Sequence, residues 1–182
     1  MTVRELVDYF EEDGIFAILF FITIPTSIPT PPIDGGLSTL PGGAATLLLS
    51  FQLILGYEKV YLPESILKKE IDMSFLNSEN FKKIDNVIGK FESLTRKRFQ
   101  WVLHSPRLLA FFFIPQAILM LIPIVFTNML PSMCITFMTF SYLFKDGLMA
   151  LIFVSLSVVE IIFYLYLFRW LGKALGLKLF KK

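Results

Sequence analysis

The sequence predicts an all-α membrane protein, and three observations carry that reading. Charge is scarce and clustered: 18% of residues are charged and 55% hydrophobic, against about 25% and about 45–50% in soluble domains. Two uncharged apolar runs each open on a proline, one from Leu40-Pro41 to Gly56 and one from Leu130-Pro131 to the Lys145-Asp146-Gly147 closure. Both are shorter than the roughly 20 residues a membrane span requires. A third run, Gly147 to Phe168, is long enough to span. The expected architecture is two repeated Pro-broken, re-entrant helical hairpins, a long C-terminal transmembrane helix and amphipathic interfacial helices, all in one domain over 1–182.

In chain order, Val3 to Phe10 reads as a short amphipathic helix at the interface, with Val3, Leu6, Val7 and Phe10 on one face. The first thirteen residues are acidic, the reverse of a basic secretory leader. Ile15 to Ile24 is a fully apolar half-span. Pro25, Pro29, Pro31, Pro32 and Pro41 with their neighbouring glycines then predict a broken segment, because proline lacks an amide donor and disfavours helix before it. Such backbone survives at membrane depth only inside protein or against a water-filled cavity. Beyond the Leu40–Gly56 run, 64–76 and 81–94 alternate charge and apolar residues at helical spacing and are expected as surface helices. Arg96-Lys97-Arg98 with Trp101 reads as an interface anchor. From Leu108 the apolar pattern returns, punctured by Pro115, Pro123 and Pro131. Ten basic residues fall between Tyr57 and Leu108 and five more close the chain from Arg169, so both clusters are expected on the cytoplasmic side.

An offset of ninety positions superposes the halves without a gap. Pro25 falls on Pro115, Pro41 on Pro131, Thr46 on Thr136 and Leu40 on Leu130. The proposed units are 15–56 and 105–146, joined by an amphipathic connector over 57–104. Leu and Phe identities are cheap in so apolar a chain; the matched prolines are less so. Duplicated broken hairpins are a feature of transporter-like folds.

The same stretches resemble the ExoD family. A Pro-Gly-rich entry leads into an apolar helix with Gln52 and Gly56, then a Tyr61-Leu62-Pro63 exit. Pro123, Asn128 and Pro131 follow in order, and Asp146-Gly147 closes the second half. The family usually has Trp where Tyr61 stands and Arg where Lys145 stands. The resemblance covers about residues 15 to 170. It implies a bacterial inner-membrane, multi-pass protein linked to exopolysaccharide synthesis or export, either transporter-like or a non-catalytic scaffold of a polysaccharide assembly complex. Its expected partners are the lipid bilayer and polysaccharide-synthesis proteins.

The polar residues in apolar surroundings are the candidates for function. Gln52 reads as a helix–helix hydrogen bond beside Gly56, or else as a pathway-lining group. Asn128 reads as a partner for free backbone at a helix break, or as a ligand group. Asp146 before Gly147 is either a site, since buried ionisable groups are costly at membrane depth, or an N-cap. Glu160, deep in the last run, is expected to be a protonated acid or an inter-subunit contact. Half-length helices leave backbone that one protomer barely covers, so a symmetric homodimer is expected. No enzyme is expected: there is one histidine, no nucleophile elbow, no Walker ending and no metal-ligand spacing. No cofactor and no metal are implied. The net charge of +2 is too small to argue for nucleic acid.

Overall fold

The computed structural model describes residues 2, 4–5, 8, 13–27, 40–57, 59–64, 68, 95–122 and 128–174. The expected surface helices over 64–76 (apart from Glu64 and Lys68) and 81–94, most of the N-terminal helix, the centres of both broken segments, and Pro29, Pro31 and Pro123 lie outside these residues. Among the described residues the elements are all helical: α1 (Gly14–Ser27), α2 (Leu40–Leu55), a short 3₁₀ turn (Gln100–His104), α3 (Pro106–Met120), α4 (Met129–Leu143) and α5 (Gly147–Ala174).

The helices alternate in direction. Phe16 at the start of α1 stacks on Tyr142 at the end of α4, with ring centroids 3.6 Å apart, while Ser27 at its other end meets Ser132. Gly43 at the start of α2 lies on Met120 at the end of α3. A Cβ on Gly43 would sit 3.2 Å from the Met120 Cβ, so this glycine sets the close approach of α2 and α3. The extensive contacts join α1 to α4 and α2 to α3, with lighter contacts along the α1–α2 and α3–α4 hairpins. The result is an up-down bundle with α5 laid against α4 and α3. Phe16, Leu19, Leu49, Leu109, Phe113, Ile135 and Met138 fill its centre.

Helix boundaries differ from the sequence expectation at the prolines. α1 and α3 run straight through Pro25 and Pro115. In α1 the final turn is held by hydroxyls instead: Thr23 donates to the Leu19 carbonyl at 2.8 Å, and Thr26 and Ser27 donate to the Thr23 carbonyl. Pro41 and Pro131, expected within broken segments, stand in the first turns of α2 and α4. There the missing amide would have had no intrahelical acceptor anyway.

α2 and α4 end alike. Gly56 (φ 83) donates to the Leu53 carbonyl and Tyr57 to the Gln52 carbonyl. Lys145 (φ 58) donates to Tyr142 and Asp146 to Ser141 in the same pattern. Lysine there carries the left-handed penalty that glycine avoids. Its ammonium lies 3.2 Å from Asp13 and over the Tyr142 ring.

α5 is long and apolar enough to cross a membrane: its most apolar 18-residue window has a mean hydropathy of 2.5. It is also unbroken from end to end. The Gly147 amide bonds the Arg98 carbonyl, so Arg98 sits at the start of α5 and Arg169 near its end. Helix from 147 to 169 rises roughly 33 Å at 1.5 Å per residue. Arg98 and Arg169 therefore stand at opposite ends of α5.

Candidate functional site

Polarity in this bundle runs inward. Thr23, Gln116, Thr136, Ser157, Asp146 and Glu160 are buried, while Phe111, Val159, Phe163 and Leu165 are exposed. Two of the buried residues are acids, and their surroundings differ.

Asp146 sits in the turn between α4 and α5, fully buried. Its Oδ1 accepts from the Leu148 and Met149 amides, both at 3.1 Å, which caps α5. Oδ1 also accepts from Arg98 Nε at 3.3 Å, and Oδ2 accepts from the Arg96 amide at 3.0 Å. Burial alone raises the Asp146 carboxyl, but the Arg96 and Met149 amides and the Arg98 guanidinium outweigh it and hold it below the ordinary carboxylate value. Gly147 completes the junction. Its amide donates to the Arg98 carbonyl at 2.8 Å. A Cβ on Gly147 would overlap the Phe99 carbonyl, so only glycine fits. This pair thus pins the 95–99 segment to the base of α5, and both carboxylate oxygens are engaged.

Gln52 is spent on its own chain rather than on a neighbouring helix. Its amide nitrogen donates to the Tyr61 carbonyl and its oxygen accepts from the Tyr61 amide, both at 2.8 Å. This two-point clasp folds the exit segment back onto the last turn of α2, directly after the Gly56 turn. The guanidinium of Arg107 covers Gly56. A cleft of about 600 Å³ lies nearby, lined by Leu48, Phe51, Gln52, Tyr57 and Tyr61 among others. Asn128 is buried at the entry to α4, and its side chain does not cap that helix.

Glu160 stands halfway along the apolar stretch of α5 and is 6% exposed. Cys134 of α4 donates its thiol to Oε2 at 3.2 Å. Oε1 is buried and has no hydrogen-bond partner. Gln116 of α3 and Tyr164, one turn further along α5, are its other polar neighbours. The Gln116 amide nitrogen donates to Ser157 Oγ at 2.5 Å, and its own oxygen is likewise without a partner. A cleft of about 360 Å³ between α4 and α5 reaches Glu160 and Cys134 through apolar walls that include Leu130, Met133, Phe153 and Leu156. Beside this group, a hydroxyl seam joins α1 to α4. Thr136 donates to Thr23 at 2.8 Å and shares a 2.8 Å hydrogen bond with Ser27, which also reaches Ser132.

The structure thus separates the sequence candidates. Gln52 with Gly56, and Asp146 with Gly147, form two backbone clamps at the same end of the bundle. Glu160 lies apart, in the interior. Sequence reasoning passed over Gln116, Ser157 and the Thr23–Ser27–Thr136 seam. The signal was present: Gln116 is an amide in an uncharged run, the same observation that singled out Gln52.

The chain matches the family described as "Exopolysaccharide synthesis, ExoD" over residues 1–166. No curated protein and no solved structure is found to match it.

Proposed function

Because the chain belongs to the ExoD family, whose description is exopolysaccharide synthesis, we propose that it is an integral inner-membrane protein with a transporter-like role in exopolysaccharide export. The observation that carries this is Glu160: a buried acid halfway along the one span-length helix among the described residues, with one oxygen unengaged and an apolar cleft leading to it. Ionisable groups at membrane depth are costly, and where they persist they mark ion or substrate paths. The inward polarity of the bundle supports a lipid surround, since a water-facing surface carries charge instead.

Helix lengths support re-entrant hairpins. α1 to α4 have 14, 16, 15 and 15 residues. They rise roughly 21–24 Å, short of the ~30 Å hydrocarbon layer. Each hairpin then enters and leaves on one side, the side of Arg96, Arg98 and Arg107, which the positive-inside tendency makes cytoplasmic. The bounds of α1 and α2, shifted by ninety, fall within three residues of those of α3 and α4. The α1–α4 and α2–α3 contacts exchange under the same shift. Both first helices run the same way, which favours parallel repeats about an axis along the membrane normal. The functional unit is a symmetric homodimer. Native mass in mild detergent tests this, and a clean monomer counts against it.

The role is tested in a strain lacking the native copy, complemented with wild type or Glu160→Gln. An export role requires polymer to accumulate inside Glu160→Gln cells while release falls. If internal and released polymer fall together at normal protein level, the scaffold reading replaces this one.

A further inference from the structure

We infer that Glu160 is a proton-binding site, its carboxyl taking up and releasing a proton in the interior of the bundle. The binding stands on the geometry around Glu160; that the proton drives export rests on the transporter-like reading above.

Acceptors outnumber donors around Glu160. Two buried oxygens, Glu160 Oε1 and Gln116 Oε1, have no donor. The Cys134 thiol is committed to Glu160 Oε2, and the Gln116 amide nitrogen, which also neighbours Glu160, donates to the Ser157 hydroxyl and carbonyl. A carboxylate adds acceptors to a place already short of donors, and an unmatched buried acceptor is costly. A carboxylic acid supplies one donor, directed at the Gln116 oxygen, and removes the shortfall. Charge leads the same way. Among the described residues the ion pairs join Arg4, Lys68, Arg98 and Lys145 to other acids, and none reaches Glu160. The groups facing it are Cys134 from α4, Gln116 from α3, and Ser157 and Tyr164 from α5. None of these is a cation.

The cleft distinguishes a proton from other ligands. Its walls are apolar apart from Glu160 and Cys134. A calcium or magnesium ion needs about six oxygen ligands, which these walls do not offer. A proton needs one. Leu130 and Leu156 on these walls are about half exposed, so the cleft opens outward from Glu160. The opposite orientation of the Gln116 amide would aim its nitrogen at Glu160 and leave Ser157 to donate to its oxygen. That arrangement suits a permanent carboxylate, and the experiment separates the two.

The test uses the purified full chain in mild detergent or lipid nanodiscs, treated with dicyclohexylcarbodiimide. This apolar reagent takes up the proton of a carboxylic acid as the carboxyl oxygen adds to its central carbon, so the carboxylate does not react. Expected are one adduct per chain, mapped by peptide mass to Glu160, its persistence in Cys134→Ala, and its absence from Glu160→Gln. The rate should fall about tenfold per pH unit above the titration midpoint. Failure of folded wild-type protein to form the Glu160 adduct at any pH overturns the inference, whether or not Glu160→Gln folds. Labelling makes no use of polysaccharide output. An adduct without an export phenotype therefore removes the transporter reading and leaves the proton site. An export phenotype without an adduct does the reverse.

Discussion

Asp146 and Glu160 are both buried acids on α5 or at its base, and they have been given opposite surroundings. Asp146 accepts from three backbone amides and a guanidinium, so its negative charge is matched where the α5 dipole also favours it. Glu160 has one thiol donor, an unengaged oxygen and, among the described residues, no cation paired with it. A buried acid whose acceptors are all filled holds two pieces of chain together and has no capacity left for a ligand. A buried acid left short is poorly placed for stability and well placed for exchange. The family-like Asp146-Gly147 pair is therefore architecture, and the acid outside the quoted motifs is the candidate for chemistry.

The comparison is broken most severely at the junction. Asp146→Ala removes the cap and the Arg96 and Arg98 contacts together, and should cost about 2–4 kcal/mol, read as loss of folded yield and a lowered unfolding midpoint. Gly147→Ala should cost about 3 kcal/mol, because the colliding atom is the Phe99 backbone carbonyl, which cannot swing aside. Asp146→Asn is a sharper probe. Asparagine usually caps as well as aspartate, but here both oxygens accept, and its NH₂ must face a donor. A loss of about 1–3 kcal/mol is expected. The pH dependence follows from the lowered carboxyl. Asp146 binds a proton less readily in the folded state than in the unfolded chain. Its stabilisation is complete above about pH 4 and is lost as pH falls through the folded value. The gap between wild type and Asp146→Asn should therefore narrow in acid. Unfolding curves for both across pH 3 to 7, roughly bracketing the carboxylate range, provide the check, and a gap that widens in acid contradicts the assignment.

The other clamp should respond more mildly. Gln52→Leu removes two hydrogen bonds to the exposed Tyr61 segment, at about 1–2 kcal/mol, and should appear as faster proteolysis near Tyr61 rather than global unfolding. At the small end lies the exposed Arg4–Glu64 pair, whose loss in Arg4→Ala should shift stability by less than about 0.5 kcal/mol.

Much of the fold was legible because apolar run length and charge placement are local signals. The ends of α2 at Leu40-Pro41 and Gly56, and the start of α5 at Gly147, were visible as prolines, glycines and charge. The prolines misled where tertiary contacts override them: Pro25 and Pro115 both sit inside helices, and in α1 the Thr23, Thr26 and Ser27 hydroxyls hold the turn around the proline. The site was less legible for a different reason. Composition flags Glu160 as unusual, but its lack of a donor depends on where Cys134, Gln116 and Ser157 point, and these come from three helices. Gln52 looked like a group reaching across helices because its partner, the Tyr61 backbone, has no side-chain signature.

The most direct measurement compares the unfolding midpoints of Asp146→Asn and Glu160→Gln against wild type, in one detergent at neutral pH. Asp146→Asn should fall by about 4–8 °C, the shift expected for roughly 2 kcal/mol in a chain of this size. Glu160→Gln, which keeps the shape and supplies a donor, should stay within about 2 °C of wild type or rise. The reverse order, with Glu160→Gln losing stability and Asp146→Asn silent, would make Glu160 the structural acid and contradict the division drawn between them.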